Sequence, residues 1–154
     1  IGIGHSLGFL KLNNSNFKFE KLVSLQGFLN FCGNFDRMRK IRETAIEKVR
    51  KDLILSKDDS LCRFRRNCGY NESVVQYTSL QELLIELDMM KKTYQHCGIR
   101  TLAIGSTDDI IVPMSIINDN FKNLENVSIL QINDGKHSLG YLHPQLIAKK
   151  INEF

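Results

Sequence analysis

The sequence predicts an α/β fold: a mostly parallel sheet with helices on both faces, carrying a helical insertion. Three observations predict it. Residues 1–34 read as strand, helix, strand; from residue 97 onward strand and helix alternate again; and residues 35–96 carry helical periodicity with no strand pattern. Strands separated by helices imply crossover connections, which join parallel neighbours and are right-handed. The sheet core therefore comprises 1–34 and 97–154, and 35–96 lies over it as a helical lid.

Taken in order, Ile1–Ile3 reads as the end of a buried strand, Leu7–Leu12 as a short helix and Lys21–Phe28 as a second strand. Asp36 is placed to cap a long helix in which Met38, Ile41, Ala45, Val49 and Leu53 recur at near-helical spacing, predicting that they form its buried face. A shorter helix is expected over Ser60–Asn67, ended by a turn at Cys68–Asn71. Ser79 and Glu82 have the spacing of a capping box, and Leu80, Leu83, Leu84, Leu87, Met90 and Tyr94 follow as an apolar stripe. Ile99–Gly105 and Val127–Ile132 complete the strands. Pro113 and Pro144 open the last two helices, where a residue without an N–H is well placed.

With 154 residues, 42% hydrophobic and 25% charged, the chain suits one globular domain with a real core. It has neither the roughly 20-residue apolar run of a membrane span nor the basic flank of a signal peptide, so a cytoplasmic protein is expected. Cys32, Cys62, Cys68 and Cys97 form no C-x-x-C pair and predict neither a metal site nor a disulfide framework. The net charge of +4 is uneven: Arg37–Arg66 carries +6 and the remainder −2. That segment reads either as a solvated helix face or as a patch for an acidic partner. Without a recognisable binding motif or interleaved aromatics, it does not predict a nucleic-acid protein.

Gly4-His5-Ser6-Leu7-Gly8 spells G-x-S-x-G between a predicted strand and a predicted helix. That context suits a nucleophile elbow, in which Gly4 and Gly8 avoid clashes in a tight turn. The alternative is an ordinary turn with Ser6 as helix cap. Asp108 and Asp109 follow the third strand, and His137 follows the fourth. Groups at strand carboxyl ends share one sheet edge, and the chain order Ser, Asp, His is that of the α/β-hydrolase triad. His143 reads as a surface residue at a helix start.

The stretches "GIGHSLG", "GSTDDIIVP" and "GKHSLGYLHPQLIAKKINEF" resemble the signature regions of the α/β-hydrolase superfamily. The resemblance implies Ser6 as nucleophile, His137 as base and the Leu7 backbone N–H as one oxyanion donor. For the acid, counting from Gly105 selects Asp108 and counting back from Pro113 selects Asp109; Asp108 is preferred. It also implies that strands normally preceding the elbow, with the second oxyanion donor, are missing from this chain.

More loosely, "KLVSLQGF" and "LCRFRRNCG" resemble the esterases that demethylate pimeloyl-acyl-carrier-protein methyl ester in biotin synthesis. That implies a cofactor-free carboxylic ester hydrolase whose acidic acyl carrier protein is held by Arg37, Arg39, Arg42, Arg63, Arg65 and Arg66. The alternatives are a generalist small-ester or thioester hydrolase, and a catalytically weak fragment that binds an acidic protein.

Overall fold

The computed structural model describes residues 1–70 and 79–154. Its elements in chain order are β1 (Gly2–His5), α1 (Leu7–Asn13), β2 (Leu22–Leu25), α2 (Asp36–Leu55), α3 (Lys57–Cys68), α4 (Leu80–Met90), β3 (Thr101–Ser106), α5 (Met114–Phe121), β4 (Val127–Ile132), α6 (Leu139–Leu142) and α7 (Pro144–Glu153). The four strands form one parallel sheet in the order β1-β2-β3-β4.

Alternation along the strands divides the core into two layers. Leu22 and Ala103 join Phe9, Leu10, Phe28, Val112, Ile116, Ile117 and Phe121 on one face, under α1 and α5. Val23, Leu25, Leu102 and Ile104 meet Leu139 and Ile147 on the other, under α6 and α7. Every residue of β2 and β3 is buried. Continuous apolar runs are what a parallel strand covered on both faces requires.

Local chemistry explains several boundaries. Ser79 Oγ accepts from Glu82 N and the Glu82 carboxylate accepts from Ser79 N, both at 3.1 Å, so both halves of the capping box are made. Pro144 occupies the first turn of α7. The α3 helix runs longer than the sequence predicts and ends on Gly69, whose φ of 97° supplies the left-handed cap that glycine adopts without strain. The expected turn at Cys68–Asn71 is described only through Tyr70; Asn71 lies outside the described residues.

The long helix α2 departs from expectation in two ways. Asp36 lies within the first turn and Phe35 occupies the cap position without a side-chain bond. Of the predicted apolar face only Leu53 is buried, joined by Ile46; Met38, Ile41, Ala45 and Val49 are exposed. Charged residues make the contacts on the inward side. Arg50 pairs with Asp88 and Lys91 pairs with Glu47, tying α2 to α4 and its end, while Arg42 Nη1 donates to the Phe31 carbonyl at 3.3 Å. No helix among the described residues is long and apolar enough to cross a membrane.

Candidate active site

Ser6, Asp109 and His137 all follow strands at the carboxyl edge of the sheet. Ladder bonds continue one residue past β1 and β2: Ser6 N donates to Leu25 O at 2.9 Å, and Gln26 N donates to Ile104 O at 2.7 Å. Both residues then turn sharply. Ser6 has φ 53° and Gln26 φ 51°; Asp134 (60°) and Lys136 (44°) join them on the His137-bearing loop. These four are the non-glycine residues with positive φ among those described. Such strain persists only where the surroundings over-determine it, and it gathers at functional sites.

At the Ser6 turn the two flanking glycines differ. A Cβ on Gly4 would lie 2.4 Å from Phe9 Cα, so only glycine lets α1 approach β1 this closely. A Cβ on Gly8 would meet nothing within 4 Å, contrary to the expectation that both positions require glycine. Ser6 holds the cap position of α1 but makes no side-chain capping bond to it. Leu7 opens α1, and its N–H therefore has no acceptor within the helix.

His137 is 1% exposed. Its Nδ1 lies 2.8 Å from Asp109 Oδ2. A carboxylate only accepts, so Nδ1 carries the proton and Nε2 of the neutral ring is an acceptor. That Nε2 is buried and has no hydrogen-bond partner among the described residues, and no bond joins it to Ser6 Oγ. Two further rings flank His137. Phe64 of α3 stands edge-on with centroids 6.4 Å apart; the His5 ring lies at 4.7 Å and donates from Nε2 to the His137 carbonyl at 2.9 Å. Desolvation, followed by the neighbouring His137, holds the His5 pKa below its ordinary value.

The adjacent carboxylates have separate tasks, and the preference for Asp108 as partner of His137 is corrected. Asp109 is buried. Its Oδ1 accepts from Ile111 N (2.8 Å) and Val112 N (2.9 Å), while Oδ2 faces His137 and Gln26. Asp108 is exposed and points to the neighbouring loop, where one oxygen accepts from Ser106 Oγ (2.5 Å), Gly135 N (2.9 Å) and Lys136 N (2.9 Å). The Ser106 hydroxyl, followed by those two backbone donors, lowers its pKa to about 2. Asp108 thus fastens the loop on which His137 sits.

Gln26, His5 and Phe64 are the neighbours that sequence reasoning missed. Gln26 had a signal: it is a polar residue directly after an apolar strand run, at the same edge as Ser6. Phe64 had none, since only tertiary structure brings α3 over this edge. There Ser138 Oγ donates to the Cys68 carbonyl at 2.6 Å. Cys68 is buried, and burial, aided by the Asp109 charge, pushes its thiol up to about 12, leaving it protonated.

The predicted basic cluster is dispersed. Arg39 pairs with Glu43 at 2.9 Å, Arg63 with Asp52 at 3.1 Å, and Arg42 serves the Phe31 carbonyl. Arg65 stacks over Tyr70 at 5.5 Å. Arg37 and Arg66 are exposed. His143 reaches the Asp134 carbonyl at the start of α7, a surface position as expected.

The four-stranded parallel sheet, covered by helices on both faces, has an α/β-hydrolase-like fold. No family model matches the sequence, and no curated protein does. Solved structures do match. An esterase from Exiguobacterium antarcticum superposes with a TM-score of 0.75 at 10% identity, covering 98% of this chain and 64% of its own. A hydrolase from Pseudomonas aeruginosa gives 0.74 at 13% identity, covering 98% and 62%. A lipase-esterase related protein from Clostridium acetobutylicum gives 0.64 at 19%, covering 99% and 64%. The chain therefore spans less than two thirds of the length of each of these three proteins.

Proposed function

We propose that the protein is a carboxylic ester hydrolase in which Ser6 is the nucleophile, His137 the general base and Asp109 the orienting acid. The buried Asp109–His137 pair, with its unpartnered Nε2 on the same sheet edge as the strained Ser6 turn, carries this reading. In the first step the Ser6 hydroxyl proton moves to His137 Nε2 as Oγ bonds to the ester carbonyl carbon. Asp109 holds the imidazole and stabilises its charged form. The Leu7 N–H, which opens α1 without an acceptor inside the helix, is the donor assigned to the developing oxyanion.

As the carbon–oxygen bond to the alcohol breaks, His137 returns the proton to the departing oxygen; a water then repeats the sequence and frees the acid. The helical insertion over this edge acts as the lid, and its Phe64 ring stands edge-on to the imidazole. Hydrolysis of short p-nitrophenyl esters tests the proposal. The expected result is turnover that Ser6→Ala and His137→Ala each abolish; turnover retained by either variant rejects it.

The finer reading is the methyl ester of pimeloyl-acyl-carrier protein, with methanol as leaving group. What supports an acidic partner is a row of exposed basic residues along α2: Arg37, Lys40, Lys48 and Lys51, with Arg66 on α3. None of the five has an ion-pair partner among the described residues. A generalist esterase has no need of such a row, and substrate comparison separates the two.

A further inference from the structure

We propose that Gln26 is a positioning residue for the acid–base pair: its buried carboxamide holds Asp109 and both sides of the His137 loop in one arrangement. The inference rests on reading Ser6, His137 and Asp109 as the reactive set. Gln26 is 0% exposed and sits at φ 51°, a conformation glycine would adopt at lower cost. Its backbone N–H is committed to Ile104 O, so the residue is fixed to the sheet.

The side chain spans three partners. Nε2 donates to Asp109 Oδ2 at 2.7 Å and to the Lys136 carbonyl, while Oε1 accepts from Leu139 N at 3.1 Å. Only one amide orientation satisfies them, because a flipped amide would set its oxygen against a carboxylate and a carbonyl. Lys136 and Leu139 bracket His137 in sequence, so one carboxamide ties the base's loop to the acid. It also completes the Asp109 shell. With Ile111 N, Val112 N and His137 Nδ1, Gln26 brings the donors to four, two on each oxygen. A carboxylate has about four lone-pair sites, so none is left over and the group is held as an acceptor facing His137.

Other side chains fail here for distinct reasons. Leucine fills the space and pairs with nothing. Glutamate keeps the shape but turns a carboxylate on Asp109. Asparagine keeps the amide but stops one carbon–carbon bond short, about 1.5 Å.

Gln26→Leu, Gln26→Glu and Gln26→Asn test the role with two readouts: the low-field His137 Nδ1–H proton resonance, and the rate at which a fluorophosphonate labels Ser6. Methyl dispersion in the proton spectrum reports the fold. The expected result is native methyl dispersion, a His137 resonance displaced or broadened at neutral pH, and Ser6 labelling slowed about 10- to 100-fold, the range that losing a histidine-orienting partner costs in metal sites. In ester turnover the loss should fall on kcat, with KM nearly unchanged.

A folded Gln26→Leu or Gln26→Glu that keeps both the native resonance and the native labelling rate overturns the proposal. Loss of methyl dispersion in all three variants also overturns it, since Gln26 would then serve only the core. If native protein is not labelled at Ser6 while the His137 resonance still depends on Gln26, the hydrolase reading fails and the positioning role stands.

Discussion

Asp109→Asn is the substitution whose outcome the structure specifies most closely. Asp109 uses both oxygens, each accepting from two donors: Ile111 N and Val112 N on one, His137 Nδ1 and Gln26 Nε2 on the other. Asparagine has one oxygen, so one pair of donors must face an NH₂ group. If the oxygen stays with the backbone amides, the NH₂ must donate to His137 Nδ1. The ring proton is then forced onto Nε2, and the imidazole cannot accept from Ser6. The rate loss for this tautomer error is about 10⁴-fold.

Hydrogen bonds to a charged acceptor contribute about 1.5–3 kcal/mol each, and asparagine recovers part, so a net loss of about 2–4 kcal/mol is expected. At a few degrees per kcal/mol this lowers Tm by roughly 5–15 °C. Ester turnover and fluorophosphonate labelling give the rate, and calorimetry gives Tm. Asp108→Asn should keep Ser6 reactivity within about tenfold, because its carboxylate binds the loop and not the imidazole. A faster Asp109→Asn than Asp108→Asn would refute the reasoning and return the acid's role to Asp108.

Three other outcomes are expected. Gly4→Ala should lower Tm sharply or prevent folding, whereas Gly8→Ala should leave Tm unchanged or raise it slightly; equal effects would contradict the geometry of the turn. The depressed Asp108 pKa predicts that its contribution to stability is fully present above its ordinary value of 3.8 and is lost as pH falls toward 2. The Tm difference between native protein and Asp108→Asn should therefore narrow over that window, and a constant difference would contradict it. Replacing Arg37, Lys40, Lys48 and Lys51 with Glu should slow a carrier-bound ester about tenfold or more in low salt and leave a small free ester unaffected. Equal rates on both substrates would favour the generalist esterase.

Most elements were legible because their signals are local: the capping box at Ser79, the proline at the start of α7, and the apolar runs of β2 and β3. The edge positions of Ser6 and His137 were legible for the same reason, each following a strand. The rotation of α2 was not. Its inner face uses Arg39, Arg42, Glu43, Glu47 and Arg50 around Ile46 and Leu53, and apolar periodicity is blind to a face held largely by charge. Nor does spacing decide between two successive carboxylates. Asp109 turns inward because Ile111 N and Val112 N capture its Oδ1, while Ser106 and the loop at Gly135 draw Asp108 away. Gln26 was overlooked because its bonds go to residues 83 to 113 positions away.

In the proposed function the strained serine after β1 is a nucleophile activated by the buried histidine–aspartate pair. Mass spectrometry of protein treated with a fluorophosphonate tests it most directly. A single adduct is expected on the peptide containing Ser6, absent from Ser6→Ala and strongly diminished in His137→Ala. An unlabelled native protein, or an adduct that persists in Ser6→Ala, would contradict it.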